Sequence, residues 1–156
     1  MNKIVIIGIF LVAGAQSVNA KPKDITFISH RITSEKVDIG NKGLSVGDIT
    51  TNTGEILNKK SKSVIGSFAG RHIVISVDIP GGTEVRDMII QDTLPDGTVL
   101  SAIIATFNTG TNFPVSRQDR IIVGGTGKYT GARGIRYTSP IEGQPGDAMV
   151  RLKFKY

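Results

Sequence analysis

Residues 122–134, IVGGTGKYTGARG, set several glycines around a Gly-Lys pair directly after an apolar run, as phosphate-binding loops do. A Walker loop needs a glycine five residues before that pair, and a serine or threonine directly after the lysine to bind magnesium. Ile122 and Tyr129 stand at those two positions. The dinucleotide-binding pattern also fails, because Thr130 takes the place of its third glycine and too little chain follows for a βαβ unit. The segment therefore does not predict nucleotide binding.

The histidines, and two charged residues that share one face of a predicted strand, provide few further candidates for a chemical role. His30 and His72 are the only histidines and cysteine is absent, so the sequence predicts no metal site. His72 is out of phase with the apolar residues of its own segment, which favours an exposed position. Arg86 and Asp92 share a phase on a predicted strand, and a solvated face is the expectation for both. The sequence has no Gly-x-Ser-x-Gly nucleophile elbow.

Residues 1–20 have the pattern of a secretory signal peptide: a basic start, an apolar run and a small-residue site ending at Ala20. We expect cleavage after Ala20, export to the periplasm or the cell exterior, and a single domain over residues 21–156. An uncleaved membrane anchor is the alternative. It is disfavoured because the apolar run is shorter than the ~20 residues that a membrane span needs.

Composition constrains how this domain is held together. An exported chain without cysteine cannot use disulfides, so a closed, well-packed core is expected. The net charge is +6, but the basic residues are scattered. Their only cluster, residues 59–62, follows turn-forming Asn58 and indicates a solvated loop. The sequence therefore predicts no nucleic-acid partner.

Strand patterns dominate residues 21–156, and no window carries a helical stripe. Turn clusters rich in Gly, Pro, Asn and Asp separate the strands. The predicted fold is all-β, and a barrel is favoured over a sandwich because closure removes exposed edges. The predicted strands cover residues 25–32, 44–50, 63–69, 71–79, 84–93, 98–107, 120–123, 134–139 and 148–156.

The glycines of the opening segment fit strand geometry better than phosphate chemistry. Gly124, Gly125 and Gly127 predict a sharp turn or a kink where a barrel strand bends. Gly131 and Gly134 predict a close approach of two backbones as the next strand begins.

The stretch VGGTGKYTGARG closely resembles the glycine-rich signature of the allene oxide cyclase and dirigent barrel families. Residues 46–48 (VGD), 64–70 (VIGSFAG) and 96–100 (DGTVL) resemble further family segments in order and spacing. The resemblance implies an eight-stranded antiparallel β-barrel with an apolar cavity, commonly in a homo-oligomer. It also implies that no metal or organic cofactor is needed.

Members of these families are isomerases that close a ring, or proteins that guide the coupling of phenoxy radicals. The resemblance retains Asp48 and Arg133, which are the candidate catalytic residues. The alternative for both is a structural role, in which Asp48 beside Gly47 anchors a loop through hydrogen bonds from the backbone. Phe27 and Ser29 stand where cyclases carry an acid and an amide, so a binding role is favoured over catalysis. The candidate ligand-binding residues are Phe27, Ser29, Phe68 and Tyr129.

The expected function is therefore to hold a small apolar or aromatic molecule, as a binding protein or as a cofactor-free isomerase or coupling guide. Two alternatives remain open. One is a structural or interaction protein of the cell exterior that binds no ligand. The other is a small outer-membrane barrel, because residues 149–156 alternate and end on an aromatic. The second is disfavoured because tryptophan is absent and aromatics are only 6% of the chain, so no integral membrane association is expected.

Overall fold

Eight antiparallel strands follow one another around a closed barrel, each hydrogen-bonded to the next, and β8 returns to pair with β1. The structure is a computed structural model that describes residues 23–78, 80–108 and 117–155. The predicted signal peptide, residues 1–20, lies outside the described residues. The strands are β1 (Ile25–Val37), β2 (Ile49–Asn58), β3 (Val64–Asp78), β4 (Thr83–Leu94), β5 (Gly97–Asn108), β6 (Gln118–Gly125), β7 (Arg133–Pro140) and β8 (Asp147–Lys155).

This architecture confirms the predicted all-β, eight-stranded antiparallel barrel. In the described part of the chain, the only helix is one 3-10 turn, Gly127–Tyr129, between β6 and β7. No helix of that part has the length and apolar character needed to cross a membrane.

Three strand predictions were wrong in position or extent. The strand predicted at 25–32 runs on to Val37. The segments predicted at 63–69 and 71–79 correspond to one continuous strand, Val64–Asp78, because Gly70 pairs with Ile90 of β4 without interrupting the ladder. The strand predicted at 44–50 begins only at Ile49 and runs to Asn58. Residues 51–58 of this strand escaped detection, because inward Asn52 follows inward Thr50, both are polar, and an alternating apolar pattern is therefore missing.

The two faces of β3 are the reverse of the prediction. His72 and Val74 line the barrel interior, whereas Ile75 is 43% exposed on the outside. A register shift between Val74 and Ser76 marks a bulge in the pairing with β4. The apolar phase of this strand therefore faces outward, since the interior at this level is polar.

One end of the barrel is filled by an apolar plug. Every second residue of a strand points inward, and at this end the inward residues are apolar. The Tyr129 ring, carried by the 3-10 turn, enters this end and stacks on Phe154 with ring centroids 5.7 Å apart. The plug consists of Phe27, Ile56, Leu94, Val99, Ile122, Tyr129, Ala132, Val150, Leu152 and Phe154.

The glycines of residues 122–134 let backbone segments approach each other around this plug. A Cβ on Gly125 would lie 2.4 Å from the Thr98 carbonyl oxygen, and one on Gly134 would lie 2.1 Å from that of Lys153. Gly131 differs from the expectation of a close approach. It has open space around it, and its φ of 75° is what favours glycine there.

We predict that Gly125→Ala destabilises the barrel by about 1–3 kcal/mol, because the added methyl overlaps backbone that cannot move independently. Gly124→Ala is the matched control, since the atom nearest to its added Cβ is the Arg133 Nη1 at 4.0 Å. Chemical denaturation of both variants measures the difference. Equal stability of the two variants would show that close packing at Gly125 is unimportant.

Candidate functional site

A buried ion pair lies directly above the apolar plug. Arg136 of β7 donates from Nε and Nη2 to the two carboxylate oxygens of Asp92 on β4, at 2.8 and 3.1 Å. Both side chains are essentially inaccessible to solvent. Strands β4 and β7 are not neighbours in the barrel, so this two-point contact crosses the interior and ties opposite walls together.

A second buried guanidinium, that of Arg120 on β6, lies beside this pair. Its Nη1 donates to Thr138 at 3.2 Å and its Nη2 to Gln118 at 2.5 Å, so both of these partners are neutral. Its Nε has no hydrogen-bond partner among the described residues. Burial, and then the charge of Arg136, lower the pKa of Arg120 to about 9. The guanidinium therefore still carries its charge at neutral pH.

The interior beyond these arginines is hollow. A cavity of about 80 Å³ lies next to Arg120 and Arg136, and a larger one of about 290 Å³ lies toward the opposite end from the plug. Both are lined by Arg31, Asn52 and His72, so these three side chains form the boundary between the two spaces. We call them the inner and the outer cavity.

Charged groups line the outer cavity, which differs from the apolar cavity that the family resemblance implied. Arg86 donates from Nη2 to Glu84 Oε1 at 2.5 Å, and its guanidinium carbon lies 5.1 Å from the centre of the Phe107 ring. Glu84 is only 1% exposed. The expectation of a solvated face for Arg86 and Asp92 was therefore wrong, because β4 turns both side chains into the barrel.

His72 lies between the two cavities, which corrects the prediction that it is exposed. Burial lowers its pKa to about 4, with further contributions from the nearby charges of Arg120 and Arg86. The imidazole is therefore neutral at neutral pH, and it can donate or accept a hydrogen bond there.

Asp48, one of the two candidate catalytic residues, anchors the β1–β2 connection at the outer cavity. Its carboxylate accepts hydrogen bonds from the backbone N–H of Ile39 at 2.9 Å and of Ser45 at 3.1 Å, and Lys36 Nζ lies 3.5 Å away. The backbone donors hold the pKa of Asp48 at about 2. The group therefore stays ionised near neutral pH, which suits an anchor and does not suit a general acid.

Arg133, the other candidate catalytic residue, lies outside the barrel. Its exposed guanidinium donates to the carbonyl oxygens of Val123 at 2.8 Å and Ala132 at 2.9 Å. The inward phase of β7 instead runs through Gly134, which packs against the backbone of Lys153 on β8. The arginine of β7 that reaches the cavities is therefore Arg136.

The four candidate ligand-binding residues divide into two groups. Ser29 and Phe68 line the inner cavity. Phe27 and Tyr129 belong to the apolar plug and do not line either cavity. Sequence reasoning did not find Arg120, Asn52 or Glu84, although the alternation of their strands would have placed them inward once the register was known.

A barrel with one filled end and one hollow, charged end defines the class of antiparallel barrels that enclose a cavity. The chain belongs to the family of the allene oxide cyclase barrel like domain, whose model matches residues 28–151. This match runs from β1 to β8 and confirms the resemblance carried by the glycine-rich segment. No curated protein sequence matches the chain.

Three solved structures illustrate the fold. A pyocyanin demethylase has a TM-score of 0.67 at 19% identity, over 85% of this chain and 99% of that one. A Diels–Alderase from Streptomyces koyangensis has a TM-score of 0.65 at 18% identity, over 85% of this chain and 64% of that one. A pterocarpan synthase dirigent protein has a TM-score of 0.57 at 18% identity, over 85% of this chain and 87% of that one. At these identities the likeness shows the fold alone.

We predict that Asp92→Leu destabilises the protein by about 3–5 kcal/mol, because it leaves the Arg136 charge buried without its carboxylate. Adding Arg136→Met to this variant is expected to recover much of the loss, since the second change removes the uncompensated charge. Gln91→Leu, on the outward phase of the same strand, is the control. Denaturant titration measures all four proteins. A double variant no more stable than the single one would contradict this account.

Acidification is predicted to destabilise the barrel between about pH 6.5 and pH 4. Over this range the unfolded chain protonates His72 while the folded chain does not, because its pKa falls from 6.5 to about 4 on folding. The loss amounts to roughly 3 kcal/mol. The charged groups that line the cavities with His72 are Arg31, Lys36, Asp48, Glu84, Arg86, Arg120 and Arg136.

Thermal or chemical denaturation at several pH values measures this slope. His72→Gln is expected to remove it, because the amide does not titrate. His30→Gln changes an exposed histidine that accompanies Asp147 on the barrel surface, and it is expected to keep the slope. A slope unaffected by His72→Gln would assign it to other groups.

Proposed function

We propose that this protein binds a small organic molecule in the inner and outer cavities and uses the charged side chains there to convert it. The observation that carries the proposal is the interior itself. Glu84, Arg86, Arg120 and His72 surround a hollow space at one end of a barrel whose other end is filled. Buried charges of this kind are costly for stability, and they cluster at sites where a ligand or a reaction uses them.

The chemistry that these groups support is positioning and electrostatic stabilisation. Arginines and a neutral imidazole can orient a bound ring system and stabilise charge that develops on it, as a cofactor-free isomerase or cyclase requires. The names of the similar structures support a small-molecule role, since they describe a demethylase, a Diels–Alderase and a pterocarpan synthase. Simple binding without conversion is the second form of the proposal.

Apolar side chains in the cavity walls favour an aromatic or otherwise largely apolar body for the ligand. Phe68 and Ile90 line the inner cavity, while Met88 and Phe107 line the outer one. These groups would bury the body of the molecule while the charged side chains meet its polar substituents. We further propose that the mature protein is exported, on the pattern of residues 1–20.

Exposed apolar side chains on the outside of the barrel support a proposal of self-association. Ile104 and Ile121 lie on the adjacent strands β5 and β6 and are 66% and 63% exposed. Outward isoleucines on neighbouring strands would be covered if copies of the barrel packed wall to wall.

We predict that Thr50→Phe abolishes or weakens ligand binding at least tenfold, because Thr50 lines the outer cavity and a phenyl ring would fill part of it. Thr51→Phe places the same ring on the outward phase of β2 and is the matched control. Native mass spectrometry of the protein purified from its source detects a bound molecule, and it also reports the mass of any assembly. A library of small aromatic compounds, read by thermal shift, supplies binders for the two variants.

The proposal fails if no molecule co-purifies and no library compound raises the melting temperature. It also fails if Thr50→Phe and Thr51→Phe affect binding equally, since the ligand would then lie outside the cavities.

A further inference from the structure

We propose that the ligand is an organic acid whose carboxylate or phenolate oxygen accepts a hydrogen bond from Arg120 Nε in the inner cavity, while a donor group on the same molecule meets Asn52 and Glu84. This inference rests on the proposed small-molecule function and names the class of ligand. It is carried by three buried polar atoms that have no partner among the described residues: Arg120 Nε, Asn52 Oδ1 and Glu84 Oε2.

The Arg120 side chain is 4% exposed and lines the inner cavity, yet its Nε–H has no acceptor in the described part of the chain. A buried donor without a partner is unfavourable, because it has lost its hydrogen bond to water and gained none. An acceptor atom of a ligand in the inner cavity would remove that penalty.

The balance of charge in the interior also favours an anion. Two contacts there each place a carboxylate beside a cation, Glu84 with Arg86 and Asp92 with Arg136, while the buried Asp48 lies 3.5 Å from Lys36, whose side chain is half exposed. Arg120 adds a further buried cation, and the hydrogen bonds of its Nη1 and Nη2 go to neutral side chains. An acceptor that also carries negative charge therefore fits this position better than a neutral carbonyl, because it compensates the buried cation.

The size of the inner cavity favours a carboxylate or a phenolate over a phosphate as the acidic group. Arg120 Nε is the one nitrogen of that guanidinium without an acceptor among the described residues, and Nη1 and Nη2 each already donate one hydrogen bond, to Thr138 and to Gln118. The inner cavity has a volume of about 80 Å³. A phosphate brings three strong acceptor oxygens into that volume, whereas a carboxylate brings two and a phenolate one.

Two buried acceptor atoms lie higher in the barrel, at the outer cavity, which Arg31, Lys36 and Arg86 line as well. Asn52 Oδ1 and Glu84 Oε2 are acceptors, and Asn52 lines both cavities while Glu84 lines the outer one. A hydroxyl or amino group of the ligand would satisfy them. The two cavities therefore select a molecule with its acidic end inward, a largely apolar body, and a donor toward the outer end.

The test compares two probes of nearly the same shape, the anionic 4-(hydroxymethyl)benzoate and the neutral 4-(hydroxymethyl)benzamide, neither of which has a phenol that could ionise. The mature protein is titrated with each, and NMR follows the imidazole signals of His72 and the amide signals of the barrel. We expect the benzoate to bind at least tenfold more tightly than the amide. We also expect it to raise the pKa of His72 more than the amide does, because an anion offsets the nearby Arg120 charge that lowers it.

Arg120→Gln is expected to abolish the preference for the benzoate. Arg133→Gln, which removes an exposed arginine from the outside of the barrel, is the matched control and keeps the preference. If Arg120→Gln does not fold, the comparison of the two probes in the wild-type protein, with the accompanying change in the pKa of His72, still decides the proposal.

The outcomes separate this inference from the proposed function. Equal affinity of the wild-type protein for the benzoate and the benzamide overturns the inference and leaves small-molecule binding in place. A benzoate preference that survives Arg120→Gln also overturns it. Failure of both probes, together with failure of every neutral and anionic library compound, overturns the inference and the proposed function alike.

Discussion

Closure of the sheet by the β1–β8 pairing is the constraint on which the other features depend. Once the ring of strands is closed, every second side chain enters one shared interior and has nowhere else to go. At one end these side chains are apolar and pack into the plug. At the other end they are charged, so they must compensate one another across the space. The ion pair of Asp92 and Arg136 lies between the apolar plug and the cavities.

The fold was largely predictable because turns and β-branched runs are local signals. The turn clusters placed most strand ends correctly, and the glycine-rich segment pointed to the family that the comparison then confirmed. The errors arose where the interior is polar. β2 was misplaced because its inward Thr50 and Asn52 resemble a solvated segment, and β3 was inverted because its apolar residues face outward. Alternation identifies the two faces of a strand, but it does not say which face is inside.

The candidate site was much less predictable for the same reason. Arg133 stood within the most recognisable motif, yet the phase of β7 directs it outward, and Arg136 takes the inward position. Asp92 and Arg136 are 44 positions apart on non-adjacent strands, so no local pattern joins them. Arg120 became visible as a site residue only when its neighbours and its burial were known. Which side chains meet across a barrel depends on the register of the strands and on the closure of the sheet. Neither can be read from a single sequence.

The apolar plug has a kinetic consequence. Because the stacked rings of Tyr129 and Phe154 belong to the packed core that fills one end, that end offers no passage between the residues that the structure describes, and the cavities are closed on that side. Whatever binds there must leave in reverse order along the path by which it arrived. A departing product and an entering substrate would therefore have to use the same opening. Turnover at such a site would be limited by the residence time of the product. A tightly bound molecule would exchange slowly with molecules in solution.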